Sequence, residues 1–178
     1  MDRLNKYSIP FAGLAKGSHQ YEFNIDDKFF ESFENSVIKK ARVHIDLDFN
    51  KSETVLTLTF RMVGSLHMNC DRCLEDFDMP VDTTVVMLVK FGEPGVGETD
   101  DIIVISHSDS HLNIAQHIYD YLSLQVPMRV VHPDDESGNP TCDPEFIAKL
   151  NEIKEESPED GPVDPRWEAL KKLGFNKN

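Results

Sequence analysis

Two stretches of strict alternation between apolar and polar residues constrain the fold of this chain more than any other feature. Residues 41–49, ARVHIDLDF, alternate without a break, and residues 54–62 alternate again after the turn-forming Asn50-Lys51-Ser52. A period of two residues is typical of a strand that is buried on one side only. The two stretches therefore predict an antiparallel β-hairpin with one face in the core.

The rest of the chain adds shorter strands and helices to this hairpin. A helix is predicted from Asp109 or Ser110 through about Leu124, and a short amphipathic helix over residues 145–154. The predicted fold class is α+β, with an antiparallel sheet, a helix packed on it and short C-terminal helices. Further strands are predicted at residues 7–11, 20–25, 81–91 and 102–105.

The length and the local composition predict how the chain is organised. The 178 residues are enough for one domain with a proper core and too few for two. We expect a single α+β domain over residues 1–154. Residues 155–163, EESPEDGPV, have the composition of an acidic Pro/Gly linker. Residues 164–178 are predicted to form a C-terminal amphipathic helix, because Asp164 can cap it and Pro165 suits its first position.

The charge of the chain is strongly negative and unevenly distributed. The net charge is −14, and residues 1–92 carry 11 Lys/Arg against 14 Asp/Glu, whereas residues 93–178 carry 7 against 18. Nucleic-acid binding needs clustered cations that displace counterions from phosphates. The balance disfavours a broad RNA contact and is compatible with a basic protein partner. Apolar runs stay far below the roughly 20 residues of a membrane span, and the N-terminus lacks the apolar core of a signal peptide, so we expect a cytosolic protein.

The three cysteines provide the most specific chemical signal. Cys70 and Cys73 form a C-x-x-C pair, a spacing that lets two thiolates reach one tetrahedral ion from a single turn. Cys142 and His132, in a polar loop downstream, would complete a closed Cys₃His site, for which structural zinc is the candidate. Two alternatives remain open: inert reduced cysteines, and a redox dithiol, although no thioredoxin-type βαβ pattern surrounds the pair.

Other constellations give weaker signals for catalysis. His107 and His111 have an i, i+4 spacing, but the glutamate of an H-E-x-x-H motif is missing. No phosphate-binding loop and no nucleophile elbow is visible, and no two carboxylates are paired by a recognisable pattern. An enzymatic function is therefore disfavoured.

The C-terminal segment combines a basic charge with an apolar stripe. Residues 165–178 contain four Lys/Arg against one Glu, and the chain's only tryptophan lies among them. A helix this short is only marginally stable on its own, so it either docks on its own domain or binds a partner protein. The candidate partner-binding residues are Arg166, Trp167, Leu170, Lys171 and Leu173.

Several separate motifs together resemble the YceD family, the large ribosomal RNA subunit accumulation protein of bacteria and plastids. They are CDRCLEDF at residues 70–77, LSLQVPMRVVH at 122–132, the following Cys142, and DPRWEALKKL at 164–173. The resemblance implies a role in the synthesis, processing or stability of 23S rRNA, and implies no enzymatic activity. The family pattern carries over by position to Cys70, Cys73, His132 and Cys142.

The acidic charge and the implied ribosomal role together predict the kind of partner. We expect the acidic half to contact a basic ribosomal protein or another assembly factor, with the C-terminal helix as one anchor. The competing hypothesis is an RNA-binding module that contacts 23S rRNA directly. A hydrolase with a metal at His107 and His111 is the least favoured. The RNA-binding hypothesis would use the basic tail and the cations Lys39, Lys40, Arg42 and Arg61.

Overall fold

The computed structural model describes residues 2–99, 102–135, 137–139 and 141–156. The chain divides into two compact units, Met1–Pro133 and Asp134–Asn178. The predicted linker at 155–163 and the predicted C-terminal helix at 164–178 lie outside the described residues, apart from residues 155 and 156. The boundaries proposed for them therefore remain predictions.

A five-stranded sheet forms the first unit, and the predicted hairpin lies at its centre. The hairpin supplies the second and third strands of the sheet. These two strands pair in an antiparallel register that runs from Lys40 opposite His67 to Lys51 opposite Leu56. The first four strands are antiparallel, whereas the last is parallel to its neighbour. In order across the sheet, the strands are β2 (Gly17–Ile25), β3 (Lys40–Lys51), β4 (Val55–Asn69), β5 (Asp76–Phe91) and β6 (Ile102–Ile105).

Short elements surround this sheet. A second, two-stranded sheet pairs β1 (Ser8–Ile9) with β7 (Leu112–Asn113). In the second unit, the side chain of Asp143 accepts a hydrogen bond from the Glu145 N–H at the start of the helix, at 3.0 Å. The helices are a 3₁₀ helix over Asp2–Tyr7, α1 (Asp27–Phe30), α2 (Ala115–Leu124) and, in the second unit, α3 (Pro144–Glu156).

The prediction for the start of α2 is wrong by about one and a half turns. The helix begins at Ala115 rather than at Asp109 or Ser110, because Leu112–Asn113 is taken up by the short ladder with β1. The Asn113 side-chain oxygen accepts a hydrogen bond from the Ala115 N–H at 2.9 Å. This bond satisfies one of the donors that a helix start leaves unpaired.

The core lies against one face of the sheet, as the alternation predicts. Along β3 the buried and exposed positions alternate from Lys40 to Asn50. Ile118 and Leu122 of α2 are fully buried in the same apolar cluster as the inward-facing residues of the sheet, and Tyr121 packs edge-on against Phe60. Each large apolar side chain buried in this way contributes about 1.5–3 kcal/mol. The predicted α+β class with a helix packed on the sheet is confirmed.

Gly64 lies in the middle of β4, on the strand that pairs with β3 and β5. The ladder is continuous there, with Gly64 opposite Val43 on one side and Val81 on the other. A Cβ atom at this position would lie 2.0 Å from the Arg42 carbonyl oxygen. The glycine is therefore required by the close approach of β3 and not by a bulge.

None of the helices in the described part of the chain is long and apolar enough to cross a membrane.

Candidate metal centre

The C-x-x-C pair lies in the tight turn that connects β4 to β5. The Cys70 N–H donates to the Glu75 carbonyl oxygen at 2.9 Å, and the Leu74 N–H donates to the Cys70 carbonyl oxygen at 2.8 Å. Leu74 has a φ of 63°, in the left-handed region that side chains other than glycine rarely adopt. This conformation reverses the chain directly after Cys73, so both sulfurs remain on the inside of the turn.

Asp71 joins this turn to the segment that carries His132. Its backbone N–H donates to the Val130 carbonyl oxygen at 2.7 Å. Its side-chain Oδ2 accepts a hydrogen bond from the Val130 N–H, also at 2.7 Å. Two hydrogen bonds between one pair of residues fix the orientation of the chain on both sides, so His132 is held beside the turn.

The four predicted ligands come together. The sulfur atoms of Cys70, Cys73 and Cys142 and a ring nitrogen of His132 all lie within 4.8 Å of one another. The three cysteines are buried and form no disulfide within the described residues, and His132 is half-buried.

The dimensions and the donor types fit a tetrahedral ion such as zinc. With Zn–S and Zn–N bonds of about 2.3 and 2.0–2.1 Å, neighbouring ligand atoms lie roughly 3.5–3.8 Å apart. Cys73 Sγ lies 3.4 Å from His132 Nδ1. Three thiols and one imidazole are ligands that zinc favours. The cluster could therefore hold a metal ion after only small movements of its side chains.

Hydrogen bonds prepare the Cys70 sulfur to act as a thiolate. Burial raises the pKa of the Cys70 thiol, but the backbone N–H groups of Cys73, His132 and Arg72 and the side chain of Cys73 oppose burial and lower the pKa to about 6. The Arg72 N–H lies 3.4 Å from Cys70 Sγ. The thiolate is the form of cysteine that binds metals, so the backbone of this turn favours the form that a metal ion requires.

An aromatic side chain lies against the imidazole. The rings of Phe77 and His132 lie 4.5 Å apart between centroids, with an angle of 34° between their planes. This contact restricts the rotation of the imidazole. It therefore supports the orientation in which the ring nitrogen faces Cys73.

The His107 and His111 pair does not form a metal site. His107 stacks on Phe91, with 5.5 Å between ring centroids, and His111 Nδ1 lies 2.8 Å from Ser110 Oγ. Both residues precede α2, so the helical spacing that suggested a shared ligand does not exist. In the described part of the chain, the Cys₃His cluster is the group of such side chains that could hold an ion.

The cations of the predicted basic patch are interleaved with carboxylates. Lys40, Arg42 and Arg61 share the solvent-facing side of β3 and β4, and Lys39 precedes β3. Arg61 forms an ion pair with Asp82, 2.9 Å from Arg61 Nη2 to Asp82 Oδ1. The carboxylates on the solvent-facing side of the sheet include Glu22, Asp46, Asp48, Asp78 and Asp82.

The candidate partner-binding residues belong to the C-terminal segment, beyond the part of the chain that the structure describes. Arg166, Trp167, Leu170, Lys171 and Leu173 lie outside the described residues.

The fold and the site define a class: a small α+β protein with a buried Cys₃His cluster able to hold a metal ion. The chain belongs to the YceD family. The family model, described as large ribosomal RNA subunit accumulation protein YceD, matches residues 58–174. Comparisons with curated proteins and with solved structures give no match.

Sequence reasoning named the four side chains of the cluster but missed the residues that position them. Asp71 lies inside the C-x-x-C motif, where its type indicates a turn. Nothing local predicts its hydrogen bonds to Val130, 59 residues away. Phe77 is the last residue of the CDRCLEDF motif, and its contact with His132 likewise depends on tertiary structure.

Proposed function

We propose that this protein is a non-enzymatic factor that supports the accumulation of 23S rRNA during assembly of the large ribosomal subunit in the cytoplasm. It would act on the synthesis, processing or stability of that rRNA through contact with a basic ribosomal protein or assembly factor. Membership of the YceD family is the observation that carries this proposal, because the family description names large-subunit rRNA accumulation.

The charge distribution supports protein contact over extensive RNA contact. The chain carries a net charge of −14, and RNA affinity depends on clustered cations that release counterions. Arg61 already forms an ion pair with Asp82 on the solvent-facing side of the sheet. A basic protein is the partner whose charge complements such a surface.

The C-terminal segment is the proposed anchor for that partner. Its basic residues flank an apolar stripe, and the acidic linker composition of residues 155–163 would let the segment reach a second protein. The anchor residues are Arg166, Trp167, Leu170, Lys171 and Leu173.

Cys70, Cys73, His132 and Cys142 are the proposed ligands of a structural zinc ion. Four protein ligands complete a tetrahedral coordination shell and leave no position for a substrate. The ion would supply folding energy and no chemistry of its own. This assignment agrees with a non-enzymatic role.

Affinity purification from growing cells tests the partner and the anchor together. The full chain is compared with a truncated chain that ends at Glu156, each with and without ribonuclease and at low and high salt. We expect the full chain to recover a basic protein after ribonuclease treatment, and the truncated chain to lose it. Recovery of protein-free 23S rRNA at high salt would contradict the proposal.

Elemental analysis of the purified chain tests the metal. We expect about one zinc per chain, lost when Cys142→Ser or His132→Gln is introduced. His111→Gln is the matched control, because this exposed imidazole lies outside the cluster and should leave the zinc content unchanged. Wild-type protein that holds no metal after purification without chelators, and takes up none when zinc is added, would exclude the assignment.

One observation favours direct RNA contact as a second candidate function. Lys40 and Arg42 line a cavity of about 270 Å³ together with Ser65 and His67, although the carboxylates of Asp27 and Asp78 line it as well. Cations beside a hydroxyl can bind a phosphate group. If this function holds, binding of a 23S fragment weakens steeply with salt and weakens further in Lys40→Gln and Arg42→Gln. Binding that both variants retain would exclude it.

A further inference from the structure

A second cavity in the first unit plays no part in the metal site. It has a volume of about 400 Å³ and lies where β5 ends beside the β3–β4 turn. Its volume is within the range of about 300–1,000 Å³ that is typical of ligand pockets. The residues that decide its chemistry are Phe11, Phe91, His107, Lys51, Glu53 and Asp109.

Hydrogen bonds fix the walls of this cavity. The Lys51 ammonium donates to the carbonyl oxygens of Phe11 at 2.8 Å and Leu14 at 2.9 Å, which holds the wall that carries Phe11. A second wall is a turn in which the Ser106 N–H donates to Asp109 Oδ2 and the Asp109 N–H donates to the Ser106 carbonyl oxygen, both at 3.0 Å. A cavity with fixed walls binds without the cost of ordering them.

Three aromatic rings form the flat part of the lining. The rings of Phe91 and His107 are stacked, 5.5 Å apart at 22°, and Phe11 lies 5.9 Å from Phe91 at 55°. The faces of aromatic rings attract cations, and a planar guanidinium can also stack on them. An aliphatic ligand would use only the apolar area of these rings.

Asp109 supplies a negative charge beside these rings. Its side chain accepts a hydrogen bond from the backbone of Ser106, and none of the described Lys and Arg side chains lies within ion-pair distance of it. Glu53, by contrast, is paired with Lys16. The donors of Lys51 are directed at backbone carbonyl oxygens. Asp109 is therefore the carboxylate that can accept a charge-assisted hydrogen bond from a ligand.

We propose that this cavity receives an arginine side chain of the protein partner. The inference rests on the proposed function in one respect, because it takes the partner to be a basic protein. Aromatic faces and a carboxylate together match a guanidinium, which stacks and donates in the same plane. A lysine ammonium lacks that plane and cannot stack and donate in the same way.

A titration of the purified full-length chain, followed by NMR, tests the chemistry without any partner. The probes are N-acetyl-arginine methylamide, N-acetyl-lysine methylamide and N-acetyl-leucine methylamide. We expect the arginine probe to shift the signals of Phe91 and His107 and to bind more tightly than the other two. A leucine probe that binds as tightly as the arginine probe would overturn the proposal.

Variants assign the binding to the cavity. Asp109→Asn keeps an oxygen that can accept from Ser106 but removes the charge, so we expect the affinity for the arginine probe to fall by about 10-fold. His107→Ala removes one ring of the stack from an exposed position and should also weaken binding. The matched control is Glu22→Gln, which makes the same change in net charge on the solvent-facing side of the sheet, away from the cavity. Equal affinities of Asp109→Asn and Glu22→Gln would refute the assignment.

The outcome separates this inference from the proposed function. If the arginine probe binds but cells yield no basic partner, the cavity stands and the proposed partner class fails. If a basic partner is recovered equally by wild type and by Asp109→Asn, and the arginine probe does not bind, the partner class stands and the cavity proposal fails.

Discussion

Removing the Asp71 carboxylate should weaken metal binding although Asp71 is not a ligand. Its Oδ2 accepts the Val130 N–H at 2.7 Å and so holds the segment that carries His132 beside the C-x-x-C turn. Asp71→Ala leaves the Val130 N–H without that acceptor. Val130 is only 7% exposed, so water has little access to replace the lost hydrogen bond.

The size of the effect follows from the type of hydrogen bond. A hydrogen bond to a charged group contributes about 1.5–3 kcal/mol, which corresponds to roughly a 10- to 150-fold change in an equilibrium constant. If the bond holds His132 in place before the ion arrives, the apparent zinc affinity of Asp71→Ala falls by that factor. Asp71→Asn keeps an oxygen acceptor without the charge, so we expect a smaller loss, of about 1 kcal/mol.

Competition with a chromophoric chelator measures the affinity directly. Glu75→Ala is the matched control, because it removes an exposed carboxylate two residues beyond Cys73 whose backbone, not its side chain, takes part in the turn. We expect Glu75→Ala to bind zinc as wild type does. The reasoning is refuted if Asp71→Ala and Glu75→Ala have the same affinity while both remain folded by circular dichroism.

Three further predictions concern the stability of the fold. Gly64→Ala places a Cβ atom 2.0 Å from the Arg42 carbonyl oxygen. We therefore expect the free energy of unfolding, measured in urea, to fall by roughly 3 kcal/mol. A fall below about 1 kcal/mol would contradict the clash. Leu74→Gly relieves a φ of 63° and should leave the melting temperature unchanged or raised, whereas a β-branched Leu74→Val should lower it. Burial lowers the pKa of His117, although the charge of Asp120 partly opposes this shift. The unfolded chain therefore binds the proton more readily than the folded chain does. The free energy of unfolding should fall as the pH drops through the ordinary histidine pKa of about 6.5. Between about pH 7.5 and 5.5, the free energy of unfolding in urea should fall less for His117→Gln than for wild type. An equal fall in the two proteins would refute the burial argument.

The central hairpin could be predicted from the sequence because its signal is local. Apolar and polar residues alternate over residues 41–49, and the structure buries every apolar residue and exposes every polar residue of this stretch. A shift by one residue would reverse every side chain, so the register is specified by the pattern itself. The sheet order and the parallel pairing of β6 with β5 are tertiary features that no local pattern contains.

The start of α2 shows where a local pattern was overruled. Asp109 and Ser110 are good capping residues, and Leu112 has the spacing of the apolar face that follows. In the fold, Leu112 pairs with Ile9, more than 100 residues away, and that short ladder takes the backbone out of helical geometry. The competing partner is remote in sequence, so local propensity alone could not reveal it.

The metal site shows the same division between local and remote information. The C-x-x-C spacing indicated two members of the cluster, and the cysteine count together with the family resemblance suggested the other two. The left-handed Leu74 and the Asp71–Val130 hydrogen bonds were not predictable, because they depend on how the turn meets a distant segment. The members of the cluster were therefore accessible from sequence, whereas the hydrogen bonds that position them were not.

A buried four-ligand cluster leads to a final prediction about the cell. If the ion only stabilises the fold, loss of the metal should reduce 23S rRNA solely through the amount of folded protein. Cys70→Ser removes a proposed ligand, whereas Gly64→Ala destabilises the sheet at a residue outside the cluster. Expressed to equal folded levels in cells lacking the native gene, the two variants should restore the ratio of 23S to 16S rRNA to the same extent. A deficit confined to Cys70→Ser would mean that the ion takes part in the function itself, because folded protein alone would then not be sufficient.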